Sequence, residues 1–231
     1  MSKWLASVQS LEEAQTLASC LPDILDLKNP AAGALGALPQ DTVSDIANWA
    51  SGRCLVSATV GDLPMQADMI ADAVWQMAAS GVDYVKVGLF AAPGLAGCID
   101  QLQPSLRTLN KPVIAVLFAD QIHDISLIEA IKQAGFAGVM LDTAAKNGRG
   151  LLDHWTTTEL RAFVELSRQH TLLCGLAGAL KLEDIDRLES LGADYLGFRS
   201  ALCDKQRRTS TLNPQRAVAV HERLQQFGLA S

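Results

Sequence analysis

Strand-like and helix-like segments alternate without a break along this chain, and that alternation limits the possible folds more than any other feature. Trp4–Val8 reads as a first strand. Leu11 to about Cys20 reads as a helix, with Ser10 as its N-cap and Glu12 and Glu13 at the positive end of its dipole. Further strands are expected at Asp23–Lys28, Cys54–Val60, Tyr84–Gly88, Pro112–Ala119, Gly138–Asp142, Leu172–Leu176 and Tyr195–Arg199. Helices are expected from about Gln40 to Ala50, Met65 to Ala79, Ala96 to Thr108, Ser126 to Ala134, Thr158 to Gln169, Glu183 to Leu191 and Gln215 to Phe227. Thr143–Asp153, which carries Lys146, reads as a loop. Eight βα units in series imply a parallel sheet, and eight closing on themselves make an α/β protein of the (β/α)8 TIM-barrel type. A doubly wound open sheet would need a Gly-rich fingerprint after its first strand, which this chain lacks. With 231 residues, 49% of them hydrophobic, the chain can bury one such barrel as a single domain over residues 1–231.

Composition removes several function classes. A formal net charge of −6 argues against a nucleic-acid-binding surface. No apolar run approaches a membrane span, and Met1–Ser10 has too short an apolar core for a signal peptide. Cys20, Cys54, Cys98, Cys174 and Cys203 form an odd set without a CxxC pair, which suits a reduced, cytoplasmic protein. His123, His154, His170 and His221 are scattered without metal-ligand spacing, so neither a metal nor a cofactor is expected.

The stretch Asp23–Ala37 carries the first chemical signal. Successive strand side chains point to opposite faces, so Ile24, Asp26 and Lys28 share one face while Leu25 and Leu27 share the other. The acid and the amine are expected to sit as a close pair, and Asn29-Pro30 ends the strand. A surface salt bridge followed by an ordinary turn is the alternative. The fourth strand places Tyr84, Lys86 and Gly88 on one face, and the sixth places Gly138, Met140 and Asp142. Active sites of barrels lie at the C-terminal strand ends, and inward side chains from alternate strands form layers. Asp26 and Lys28, Lys86, and Asp142 all come from even strands, so they are expected to converge at the barrel mouth. Lys86 interrupts an otherwise apolar strand, where a lysine is rarely buried unless paired. Close lysines repel as cations and burial disfavours the charged amine, so one of them can act as a nucleophile toward a carbonyl. The carboxylates can then hold charge and move protons, and Lys146 can swing over the site on its loop. An ion network that only sets the barrel register is the alternative.

A phosphate end is legible too. Gly175–Ala179 follows strand seven and Gly197–Ser200 follows strand eight, the two loops where barrel enzymes often hold phosphate. Gly178 allows backbone N–H groups to approach an anion, unless it is a plain turn, and Arg199 shares the inward parity of Gly197.

With these residues assembled, the chain resembles the (5-formylfuran-3-yl)methyl phosphate synthase family of methanofuran biosynthesis. The likeness runs from strand one to strand eight. It is densest in Asp-Leu-Lys-Asn-Pro (26–30), Leu-Val-Ser-Ala-Thr-Val-Gly-Asp (55–62), Asp-Tyr-Val-Lys-Val-Gly-Leu (83–89), Met-Leu-Asp-Thr-Ala-Ala-Lys-Asn-Gly (140–148) and Leu-Ala-Gly (176–178). The resemblance implies condensation of two glyceraldehyde 3-phosphate molecules, with loss of phosphate and water, to a phosphorylated furan aldehyde. It makes Lys28 the Schiff-base lysine and Lys86 the proton-transfer lysine, with Asp26, Asp142 and Lys146 moving protons and holding phosphates. Gly178, Ala179, Arg199 and Ser200 would form the phosphate subsite. The chain departs from the family pattern by having Ala179 in place of Ser and Ser200 in place of Gly, and Ser200 is expected to replace the missing donor.

Two other readings stand beside this one. The chain could be a different Schiff-base aldolase acting on a sugar phosphate, or a silent barrel that binds a phosphorylated metabolite. The partner expected in every case is a small phosphorylated molecule, not nucleic acid or membrane, and a homo-oligomer is compatible with all three.

Overall fold

The computed structural model describes residues 1–145 and 147–228. Among them, eight parallel strands close into a barrel in sequence order, each followed by an α-helix. The strands are β1 Lys3–Val8, β2 Ile24–Leu27, β3 Leu55–Thr59, β4 Tyr84–Leu89, β5 Val113–Phe118, β6 Gly138–Asp142, β7 Leu173–Leu176 and β8 Tyr195–Phe198. The helices are α1 Leu11–Thr16, α2 Gln40–Ala50, α3 Ala67–Ala78, α4 Leu95–Thr108, α5 Leu127–Ala134, α6 Thr157–Gln169, α7 Ile185–Glu189 and α8 Pro214–Gly228. The expected TIM barrel is therefore what forms. No helix among the described residues is long and apolar enough to cross a membrane.

The period of two in each strand separates two cores. Outward residues such as Leu25, Leu27, Val56, Ala58, Val85, Val87, Val139 and Leu141 are buried beneath the helices. Inward residues Leu5, Ile24, Ile114, Val116, Phe118, Met140 and Tyr195 fill the barrel itself. Strand β5 reads Val-Ile-Ala-Val-Leu-Phe because both of its faces are covered, and all six residues are buried. Glycines on the inward face make room for the large side chains. A Cβ on Gly175 would lie 2.3 Å from the Tyr195 ring, so Tyr195 can fold across the interior only because β7 carries no side chain there.

Acidic residues tie the strand starts together. Asp23, Asp83 and Asp194 precede β2, β4 and β8, and each accepts the N–H of the second residue of the strand before it. The donors are Trp4 at 2.7 Å, Val56 at 2.8 Å and Cys174 at 2.6 Å. The same device recurs at the opposite end. Asp62, after β3, accepts the N–H groups of Ala34 and Leu35, and Asp120, after β5, accepts those of Ala144 and Ala145. Each carboxylate holds the neighbouring loop open against the mouth.

Two helices are markedly shorter than expected. Helix α1 stops at Thr16, where Leu17, Ala18 and Cys20 turn on i→i−3 hydrogen bonds so that the chain can re-enter beneath the barrel. Helix α7 is likewise reduced, and a 3-10 turn at Leu182–Asp184 precedes it. A further 3-10 turn, Leu151–Asp153, closes the loop after β6. Helix α6 opens on a reciprocal cap between Thr156 and Glu159, one residue before the expected start.

Candidate active site

Asp26 stands at the centre of the barrel and is fully buried. Register explains its surroundings, because Ser7 of β1 and Ser57 of β3 are its direct neighbours across the sheet. Ser7 Oγ donates to Oδ2 at 2.9 Å and Ser57 Oγ donates to Oδ1 at 2.7 Å. Lys86 Nζ reaches across from β4 and donates to Oδ1 at 2.9 Å. Burial, the largest single influence, pushes the Asp26 carboxyl up. The Lys86 and Lys28 charges and the hydrogen bonds from Lys86 and Ser57 together outweigh it and hold the group below the ordinary carboxylate value.

Lys28 follows β2, with its Nζ 3.9 Å from Asp26 Oδ2 and 3.6 Å from Asp142 Oδ2. Its amine thus sits between two carboxylates from different strands. Asp142 ends β6, and its Oδ1 accepts the Thr143 N–H at 2.7 Å. The even-strand parity places Asp26, Lys28, Lys86 and Asp142 on the inward face, and one ion network links them. The expected Asp26–Lys28 ion pair forms at 3.9 Å, and Lys86 at 2.9 Å is the closer partner of Asp26. One detail differs from the expectation: Lys86 does not line the mouth. It lies in mid-strand, buried, with Gly88 above it on the same face, and it borders a separate cavity beneath the site.

The mouth is a cavity of about 930 Å³ whose walls include Asp26, Lys28, Asp142, Gly178, Ala179, Arg199, Ser200 and Arg208. Lys146 lies outside the described residues. Gly178 has φ +104°, and a Cβ there would meet Thr143 Cγ2 at 2.9 Å, so only glycine lets the loop after β7 pass this close to the loop after β6. Ala179 follows with φ +49°, which leaves consecutive amides in a left-handed turn suited to an anion. Ser200 opens a 3-10 turn, Ser200–Leu202, on the neighbouring loop after β8.

Arg199 is buried on the wall of this opening, and its guanidinium is taken up by protein groups. Its Nη1 donates to Glu13 Oε2 at 2.5 Å and to the Ser7 carbonyl at 3.1 Å. Its Nη2 donates to Glu13 Oε1 at 3.1 Å and reaches the Ser210 carbonyl at 3.5 Å, while Nε donates to the Arg208 carbonyl at 2.8 Å. The guanidinium therefore staples the loop after β8 to β1 and α1. Arg207 and Arg208 of that loop also line the mouth, and Arg208 Nη2 donates to the Gly33 carbonyl at 3.0 Å. No carboxylate lies within ion-pair distance of Arg208 among the described residues.

Sequence reading did not single out Ser7, Glu13 or Arg208. Ser7 shares the inward parity of an otherwise apolar strand, a signal that was available. Glu13 was read only as a dipole partner, and Arg208 sits in an irregular loop where no periodicity applies. No group of three or more His, Cys, Asp or Glu among the described residues is placed to hold a metal ion.

A closed parallel barrel with an amine–carboxylate network beneath a wide mouth defines a barrel of the enzyme type. The chain belongs to the 4-HFC-P synthase family, whose model matches residues 4–221. A (5-formylfuran-3-yl)methyl phosphate synthase of Methanococcus aeolicus is 34% identical over 209 residues, covering 86% of this chain and 89% of that protein. The same-named protein of Methanocaldococcus jannaschii is also 34% identical, over the same shares of both chains. A Methylorubrum extorquens protein that carries the name provisionally is 38% identical over 94% of this chain and 89% of its own length. Among solved structures, a 3-hexulose-6-phosphate synthase superposes with a TM-score of 0.68 at 18% identity, covering 96% of this chain and 99% of that one. Phosphoribosyl anthranilate isomerase from Thermus thermophilus gives 0.67 at 13% identity, covering 98% and 100%. At such identities these two likenesses speak for the fold alone.

Proposed function

We propose that this chain is a (5-formylfuran-3-yl)methyl phosphate synthase. It condenses two molecules of glyceraldehyde 3-phosphate through an imine on Lys28, releases phosphate and water, and supplies a furan for methanofuran-type cofactors of one-carbon metabolism. The observation that carries this reading is the Lys28 amine on the wall of the mouth, held between Asp26 and Asp142.

In this reading the Lys28 amine attacks the aldehyde carbon of one triose, and the resulting carbinolamine loses water to form the imine. The imine draws electrons from the adjacent C–H, so that proton becomes removable. Asp142, with one oxygen fixed by Thr143 and the other toward Lys28, is placed to carry protons on the mouth side. Asp26 keeps its negative charge because its hydrogen-bond donors hold it, and Lys86 is the proton-transfer partner behind it. Lys146 joins this set by family motif.

The phosphate subsite is assigned to the amides of Gly178 and Ala179 and to Ser200. Arg208 is added to it as a cation, and Arg199 acts on it by anchoring the loop that carries Arg208. Ser200 takes over the hydroxyl that Ala179 lacks.

Incubation with glyceraldehyde 3-phosphate should yield a furan with its characteristic ultraviolet absorption and the expected mass. Borohydride added during turnover should leave a covalent triose adduct on Lys28. An adduct with a non-furan product would point to another aldolase, and neither adduct nor product would leave a binding protein.

A further inference from the structure

Barrels of this architecture are normally packed solid by inward side chains. This one is not. Below Asp26 lies a second cavity of about 250 Å³, lined by Leu5, Ile24, Ile114, Tyr84 and Tyr195, with Ser57 and Lys86 also on its wall. It opens at the N-terminal end of the strands, where Lys3, Leu55, Leu173 and Asp194 surround its rim. Leu55 and Leu173 are each 37% exposed there, although both point inward by strand parity. The upper cavity touches Asp26 and Lys28 but not Lys86, and the lower one touches Lys86 but not Asp26 or Lys28. The Lys86–Asp26 bond thus lies between the two cavities, with Leu5 on the wall of both. Such a volume, with Ser57, Lys86 and two tyrosines among its lining residues, is large enough for water.

We propose that Lys86 has its own route to solvent through the N-terminal end of the barrel, and that the Lys86–Asp26 pair exchanges protons with water along it. A proton on the pair passes to a water in the lower cavity, which leaves as hydronium, and the reverse step restores it. No bond to carbon changes and no co-reactant is required. This arrangement resets the pair while the mouth is filled with substrate, and to that extent it rests on the role proposed for Lys86. The access route itself stands on geometry and is tested without turnover.

The probe is formaldehyde with cyanoborohydride, which methylates an accessible amine by imine formation and hydride reduction, followed by mass spectrometry of Lys28 and Lys86. The unmodified protein should methylate Lys86. Leu55→Trp combined with Leu173→Trp narrows the rim and should slow Lys86 by about tenfold, with Lys28 unchanged. Leu173→Ala widens the rim and should speed Lys86 alone, which keeps the test decisive if the double variant folds poorly. Enzyme already trapped with borohydride on Lys28 should still methylate Lys86. Failure of that trapping would count against the proposed function and leave the rim variants to decide the route. An unreactive Lys86, a Lys86 rate indifferent to both rim changes, or protection of Lys86 only by filling the mouth would overturn the inference.

Discussion

At the scale of single residues, the two lysines share one carboxylate but face different spaces, and that difference separates their roles. Lys28→Ala should lose the borohydride adduct and all product. Lys86→Ala should keep the adduct on Lys28 while turnover falls by about 10²–10⁴-fold, the usual worth of a positioned proton-transfer group. An adduct on Lys86 with Lys28 unlabelled would reverse the assignment. Asp26 makes a second, structural prediction. Its carboxyl is held below its ordinary value of 3.8 in the folded chain. The stability it contributes is therefore complete above that value and is lost as pH falls through the lower folded one. Asp26→Asn strands the buried Lys86 charge and should cost about 3–5 kcal/mol near neutrality. Urea unfolding between about pH 2 and pH 6 should show a shallower acid dependence for the variant, in the range where an unperturbed Asp titrates. An unchanged pH profile would mean that Asp26 is not the group that the network holds ionised.

At the scale of elements, the loop after β8 is positioned by a single buried ion pair, Arg199 with Glu13 of α1. If Arg199 acts through that anchor, Arg199→Ala and Glu13→Gln should each raise KM for the triose phosphate more than they lower kcat. The double variant should then be scarcely worse than either single one, because both remove one interaction. A raised KM in Arg199→Ala alone would instead mark a direct contact between the guanidinium and substrate. The neighbouring phosphate loops make a paired prediction. Ser200→Ala should raise KM by roughly tenfold, the value of about 1.4 kcal/mol for a charge-assisted hydrogen bond. Adding Ala179→Ser should recover part of it if a hydroxyl on either loop serves the same phosphate. Steady-state kinetics on the unmodified protein and these two variants decides this, and no loss in Ser200→Ala would remove Ser200 from the subsite.

At the scale of the whole molecule, the barrel interior is shared between glycines and a few large side chains. Gly175→Ala would drive a methyl into the Tyr195 ring, which borders the lower cavity. It should destabilise the fold by about 1–3 kcal/mol, as overpacking does. Chemical denaturation would read this directly, and a neutral result would show that the ring can swing into the lower cavity without cost.

Alternation of the strands and helices and the inward parity of Asp26, Lys28, Lys86 and Asp142 were all legible in the chain. Both depend on local periodicity, which sequence carries explicitly. The family motifs were legible for the same reason, being contiguous. Three things were decided only when the barrel closed. Lys86 rather than Lys28 became the tight partner of Asp26, since that contact spans 60 residues and depends on how far a side chain reaches across the interior. Arg199 pairs with Glu13, 186 residues away, although its strand parity pointed it inward, because a buried guanidinium is stable only with its charge paired. Arg208 reached the mouth from an irregular loop to which no period applies. Periodicity specifies which face a side chain takes, whereas partners and depth along the barrel axis follow from strand tilt and loop packing, which are properties of the closed sheet.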